Sequence, residues 1–167
     1  MYSYLGLTQF GGTLFILTST RRRIMASIPS KNTKPELRIR RALHALGFRY
    51  RTHVKDLPGT PDIVFPKYKA VVQVNGCFWH GHNCLSNRPA KNNLTYWLEK
   101  IQKNKLRDER NKQALLKSEW RLMVVWECAI QGKRKLDQEI LVSLIENWLL
   151  VGNEFVEIAG KGAITDT

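Results

Sequence analysis

The sequence has no apolar run near the roughly 18 residues that a membrane span needs, no internal repeat and no low-complexity linker. Cysteine is scarce. Three in 167 residues cannot all pair, which argues against a disulfide-stapled secreted domain. Negative charge is scarce as well: 14 Asp and Glu face 27 Lys and Arg, a formal net charge of +13. That imbalance says nothing about fold, but it makes a polyanion the expected partner. The rest is ordinary for a globular chain, with 43% hydrophobic and 25% charged residues. The length is close to one domain at about 150 residues each.

Residues 1–24 read apart from the rest. Their moderately apolar stretch is broken by Gly6, Gln9, Gly11 and Gly12, and its positive charges, Arg21, Arg22 and Arg23, follow it. A secretory signal carries its charges first. We expect 1–24 to be a loose N-terminal extension or a mis-called start ahead of Met25, where an ordinary cytosolic N-terminus begins. The expected location is cytoplasmic. Residues 25–152 should form a single domain, and 153–167, which lack clear periodicity, a flexible tail.

Within the core, Thr33, Pro35 and Glu36 read as a helix start with a capping-box glutamate. Ile39, Ala42, Leu43 and Leu46 continue it at helical spacing until Gly47. After the turn at 58–61, residues 62–65 and 70–74 read as strands of a hairpin joined by 66–69. Residues 94–117, charged and free of Gly and Pro, predict one long helix. Residues 121–126 are apolar on both faces, as in a central strand, and Leu141, Leu144, Ile145 and Trp148 mark a closing helix. The fold class is α/β, a mixed sheet flanked by helices, the long helix making a right-handed crossover between parallel neighbours.

Chemistry concentrates in 75–84, which holds Cys77, His80, His82 and Cys84 just beyond a strand. Cys128 falls after another strand that could be its neighbour. Three thiols and one histidine make a closed tetrahedral zinc set, against the blander reading of small buried cysteines. Spacing does not choose between His80 and His82 as the fourth ligand. Asp62, at a strand edge near that cluster, suits a magnesium ion acting on a phosphodiester, with a spare histidine moving a proton; its plainer alternative is a turn cap. Phe78 and Trp79 are adjacent large aromatics on a loop, and Tyr96 and Trp97 open the long helix. They suit wedges between base pairs, or packing around the metal. Lys100, Lys103, Lys105, Arg107, Arg110 and Lys112 can track phosphates, or form only a solvated face.

The blocks LPGTPDIVF (57–65), GCFWH (76–80), YWLEKI (96–101) and VWEC (125–128) resemble, in order and over about 31–150, the very-short-patch repair endonucleases. The resemblance implies a restriction-endonuclease-like fold with a structural zinc and a magnesium-dependent nick 5′ to the T of a T·G mismatch left by deaminated 5-methylcytosine. It implies Asp62 as the magnesium carboxylate, the Val74 carbonyl as another contact to that ion, and His80 as the catalytic histidine. Glu36 matches a glutamate near the active site. Cys77, His82, Cys84 and Cys128 would hold zinc, and Phe78, Trp79 and Trp97 would intercalate in the DNA.

The family usually has His, which helps at the active site, where this chain has Asn75. An amide donates a hydrogen bond but cannot titrate, so Asn75 implies a slower enzyme if that histidine acts as a cation. Residues 73–75 also lack the acidic-x-Lys motif of the wider superfamily, as expected of this family. The implied partners are mismatched double-stranded DNA, a cytosine methyltransferase and mismatch-repair proteins, with no membrane and a monomeric state. Two other readings are a zinc-stabilised DNA-binding module with impaired catalysis and a same-fold nuclease with a different DNA substrate.

Overall fold

The computed structural model describes residues 31–84 and 93–162; the expected extension 1–24 lies outside them. From Lys34 onward the described residues form one compact unit. Helix α1 (Lys34–Ala45) leads to β1 (Ile63–Phe65). A short 3-10 turn, Pro66–Tyr68, connects it to β2 (Ala70–Asn75). Then come α2 (Leu94–Lys117), β3 (Arg121–Trp126), the single turn α3 (Glu127–Ile130), α4 (Gln138–Val151) and β4 (Phe155–Ile158). The strands form one mixed sheet in the order β1-β2-β3-β4, with β1 antiparallel to β2 and the other pairs parallel. The α/β class and the parallel β2–β3 pairing are those expected.

Alternation sorts the sheet's side chains into two cores. Ile63, Phe65, Ala70, Val72, Met123 and Val125 join Ile39 and Leu43 of α1 and Leu141, Ile145 and Trp148 of α4. Val64, Val71, Leu122, Val124 and Trp126 face the other way, with Leu115 of α2 and the buried Cys77 and Cys128. The sheet is therefore a middle layer, with the cysteines and the long helix on one side. Leu46 does not complete the α1 stripe and is half exposed, because the helix ends before it. Gly47, at φ +90°, makes that stop: its N–H bonds His44 O and the Phe48 N–H bonds Leu43 O, returning Phe48 to the core beside Leu43. Leu144 is likewise exposed, and α4 buries Leu149 instead.

The segment 153–167 is not simply a flexible tail. Its residues 155–158 form β4, which adds to β3 in parallel from Leu122↔Phe155 to Val125↔Ile158. Four residues are too few to show a period, and their ladder partner lies far back in the chain. Residues 163–167 lie outside the described set.

Arg121, opening β3, ties three elements at their backbone. Its Nη1 donates to Trp148 O (2.7 Å) and Gly152 O (3.2 Å), and its Nη2 to Leu149 O (2.7 Å) and Tyr68 O (3.3 Å). A guanidinium at the last carbonyls of α4 satisfies acceptors that the helix cannot and complements its dipole. Arg121→Ala should cost about 2–4 kcal/mol in urea unfolding, with Arg121→Lys recovering less than half, since one ammonium cannot reach four carbonyls. A loss below about 1 kcal/mol would mean that water replaces the arginine at these carbonyls.

Candidate active site

Because β2 and β3 run parallel and in register, they end side by side, with Asn75 opposite Trp126. The loop after β2 then carries Cys77, His82 and Cys84, and the turn after β3 carries Cys128. Their ligand atoms all lie within 4.8 Å of one another. A tetrahedron with bonds of about 2.0–2.3 Å has edges of about 3.3–3.8 Å, and Cys128 Sγ stands 3.6 Å from His82 Nδ1. The loop is coiled to bring this about: the His82 N–H reaches Cys77 O at 2.9 Å, and Gly81 takes φ +61°. A Cβ on Gly81 would meet Ile101 and Lys105 of α2 at 2.6 and 2.5 Å, so only glycine lets the loop lie this close to the helix.

Burial pushes the Cys77 and Cys128 thiols above their ordinary range, and neighbouring Cys84 adds to the rise. Burial lowers the His82 imidazole, against an opposing pull from Glu157. Thiols that resist ionising beside a neutral imidazole are what a soft divalent cation corrects, since its charge makes thiolates the stable form. The four residues therefore fit a bound metal. Around them the Gly160 N–H points at Cys128 Sγ (3.3 Å), and Trp126 stacks on His82 at 4.2 Å between ring centres. Trp126 Nε1 in turn donates to Glu157 Oε2 at 2.9 Å.

Asp62 stands just before β1, and its Oδ2 accepts the Val74 N–H at 2.8 Å, extending the β1–β2 edge. A strand residue presents its N–H and C=O to the same neighbour, so the Val74 carbonyl faces the Asp62 edge too. Burial pushes the Asp62 carboxyl up to about 6; the Val74 N–H opposes that, while Glu36 adds to it. The charge of His80 also reaches this carboxyl. Glu36 is buried and ion-paired with Arg40 at 3.0 Å. Two carboxylates, one of them ionised against its environment, suit a hard divalent cation.

His80 lies outside the cysteine cluster. Its Nδ1 bonds Asp108 Oδ2 of α2 at 2.5 Å. Burial would raise the Asp108 carboxyl, but His80 and Arg107 together bring it below the ordinary value. Phe78, Trp79 and Trp97 form an edge-to-face group with ring centres 5.1–5.7 Å apart. Trp97 is the buried member, and Tyr96 beside it is 57% exposed. Asn104 on α2 donates to Trp79 O at 2.8 Å and holds the loop.

Three residues here were not singled out from the sequence: His53, Arg40 and Asp108. His53 Nδ1 is 3.9 Å from Asp62 Oδ1, and its Nε2 is 3.0 Å from Arg40 Nη2. The only hint was scarcity, His53 being one of four histidines.

A carboxylate pair, a histidine–aspartate pair and loop aromatics on one strongly basic domain are the equipment of a DNA-hydrolysing enzyme. The family model described as DNA mismatch endonuclease Vsr matches residues 16–86. The type II nicking enzyme V.XorIIP of Xanthomonas oryzae is 48% identical over 120 residues, 72% of this chain and 88% of that protein. The type II nicking enzyme V.NmeAIP of Neisseria meningitidis is 48% identical over 116 residues, 70% and 83% of the two chains. The DNA mismatch endonuclease Vsr of Escherichia coli is 38% identical over 144 residues, 86% and 92%. The chain belongs to the DNA mismatch endonuclease Vsr family and is a DNA endonuclease.

A raised folded-state pKa means that ionised Asp62 costs stability above about pH 6, and that this cost fades as pH falls toward the unfolded value. Without divalent cations, Asp62→Asn should therefore stabilise the protein by on the order of 1–3 kcal/mol at pH 8, with roughly half that gain at pH 5. A variant less stable than the parent at pH 8 would contradict the electrostatic reading. Cys128→Ser should abolish metal uptake at the cluster, measured by elemental analysis, and lower the melting temperature by more than about 10 °C. A metal-free variant that melts like the parent would refute a structural role for the cluster.

Proposed function

We propose that this endonuclease nicks one strand of duplex DNA 5′ to the T of a T·G mismatch, the product of 5-methylcytosine deamination, using magnesium. The single observation that carries this is membership of the DNA mismatch endonuclease Vsr family, and the Asp62 carboxylate, held by the Val74 N–H at 2.8 Å within the field of His80, supplies the metal-binding edge. Asp62 and the Val74 carbonyl would hold magnesium, which supplies Lewis-acid stabilisation of charge on the scissile phosphate. Asp108 accepts from Nδ1 of His80, so Nε2 is the basic nitrogen, placed to take a proton from the attacking water. Glu36 adds negative potential at the Asp62 carboxylate, and Asn75, at the end of β2, would supply an amide donor there.

Zinc is the ion we assign to Cys77, His82, Cys84 and Cys128, which fix the loop bearing His80 and the aromatics. Phe78 and Trp79, half-buried against Trp97, would enter the stack at the mismatch, where a weakened pair costs less to separate than a Watson–Crick pair. Trp97 would serve as the wall behind them. The enzyme would act as a monomer in the cytoplasm, on DNA modified by a cytosine methyltransferase and alongside mismatch-repair proteins. Among the described residues no helix is long and apolar enough to cross a membrane.

A labelled duplex with one T·G mismatch, compared with its C·G counterpart in magnesium and in EDTA, tests this reading. We expect one magnesium-dependent nick beside the mismatched T and none in the matched duplex. Asp62→Ala should lower nicking by at least 10³-fold, on the order of 4 kcal/mol, with mismatch binding kept. Equal cutting of both duplexes would remove the repair role, and binding without any nick would favour the DNA-binding reading.

A further inference from the structure

His53 is not part of the chemistry assigned above, yet it sits against the Asp62 carboxylate. Its backbone is fixed there: Arg51 and Val64 exchange N–H···O bonds of 2.8 Å, and the His53 N–H reaches Pro61 O at 3.1 Å. The residue takes φ +50°, a left-handed conformation that L side chains adopt at a cost and that histidine, asparagine and aspartate tolerate best. Its side chain is only 14% exposed. Arg40 Nη2, which also reaches Glu36 Oε2 and Asp62 O, stands 3.0 Å from His53 Nε2. A guanidinium only donates, so Nε2 is the acceptor and the ring proton resides on Nδ1. Nδ1 is the nitrogen nearest Asp62 Oδ1, at 3.9 Å, an electrostatic rather than hydrogen-bonding separation.

We propose that His53, with its tautomer set by Arg40, is a positioning residue for Asp62. Each carboxylate oxygen then has its own partner: the Val74 N–H donates to Oδ2 at 2.8 Å, and the His53 Nδ1–H, 3.9 Å from Oδ1, favours that orientation electrostatically. A ligand carboxylate that cannot swing keeps its geometry toward a metal, and outer partners of this kind are typically worth about 10- to 100-fold in metal affinity or activity. The inference rests on Asp62 being the metal carboxylate.

The test uses the full chain with its cysteine cluster loaded, and Mn²⁺ as a spin probe for binding without DNA. His53→Ala should weaken Mn²⁺ binding about 10-fold and raise the magnesium needed for half-maximal nicking by a similar factor. Zinc content should stay at the parent's value. His53→Asn places an N–H donor where Nδ1 was and suits the left-handed backbone, so it should recover binding to within about threefold. Parent-like Mn²⁺ binding by His53→Ala would overturn the proposal, as would His53→Asn performing no better than His53→Ala. Loss of binding accompanied by loss of zinc would assign His53 a structural role instead. A parent protein that binds Mn²⁺ but nicks no mismatch would defeat the functional reading, while the Mn²⁺ comparison would still decide the role of His53.

Discussion

The parallel pairing of β2 with β3 is the constraint from which the site follows. Strands in register from Ala70↔Arg121 to Asn75↔Trp126 finish together, so whatever follows each of them is delivered to one place. The loop after β2 and the turn after β3 together bring four side chains that could hold a metal to one place for this reason. Parallel strands also need a long return, and α2 is that return. Having been placed there by topology, the helix is used twice more: Asp108 holds His80 and Asn104 holds Trp79 O.

Two kinds of electrostatic discomfort lie side by side in this region. Thiols are buried where they resist ionisation, and a carboxyl is buried where its proton is retained to about pH 6. A cation would favour the charged form of each, and the donors differ in kind, sulfur with imidazole in one and oxygen in the other. One short loop, 76–84, joins them, carrying three of the cluster's ligands and the histidine whose charge reaches Asp62. The stability spent on a destabilised carboxyl is the usual signature of a site shaped for chemistry rather than for folding.

Much of this was legible in the residues. The long helix announced itself by its lack of Gly and Pro, and β3 by being apolar on both faces; both end where expected. The cysteines pointed to a cluster because all three lay beyond strand ends. Spacing could not separate His80 from His82, since one residue lies between them; the fold does so by turning one toward Cys128 and the other toward Asp108. His53 and Arg40 stayed hidden because nothing local marks them. Arg40 looks like any helix cation, and His53 reaches Asp62 through the antiparallel contact of Arg51 with Val64 and its own N–H to Pro61 O. Strand β4 was missed for a related reason, its ladder partner among the described residues being more than thirty residues earlier.

The cysteine–histidine cluster is braced by residues far along the chain. Glu157 anchors the Trp126 ring that stacks on His82, and the Gly160 N–H faces Cys128 Sγ. Cys77, His82 and Cys84 precede Cys128 by more than forty residues and Gly160 by more than seventy, so the cluster is closed by contacts between distant parts of the chain. A chain truncated before β4 would keep all four cluster residues and lose the groups that brace them.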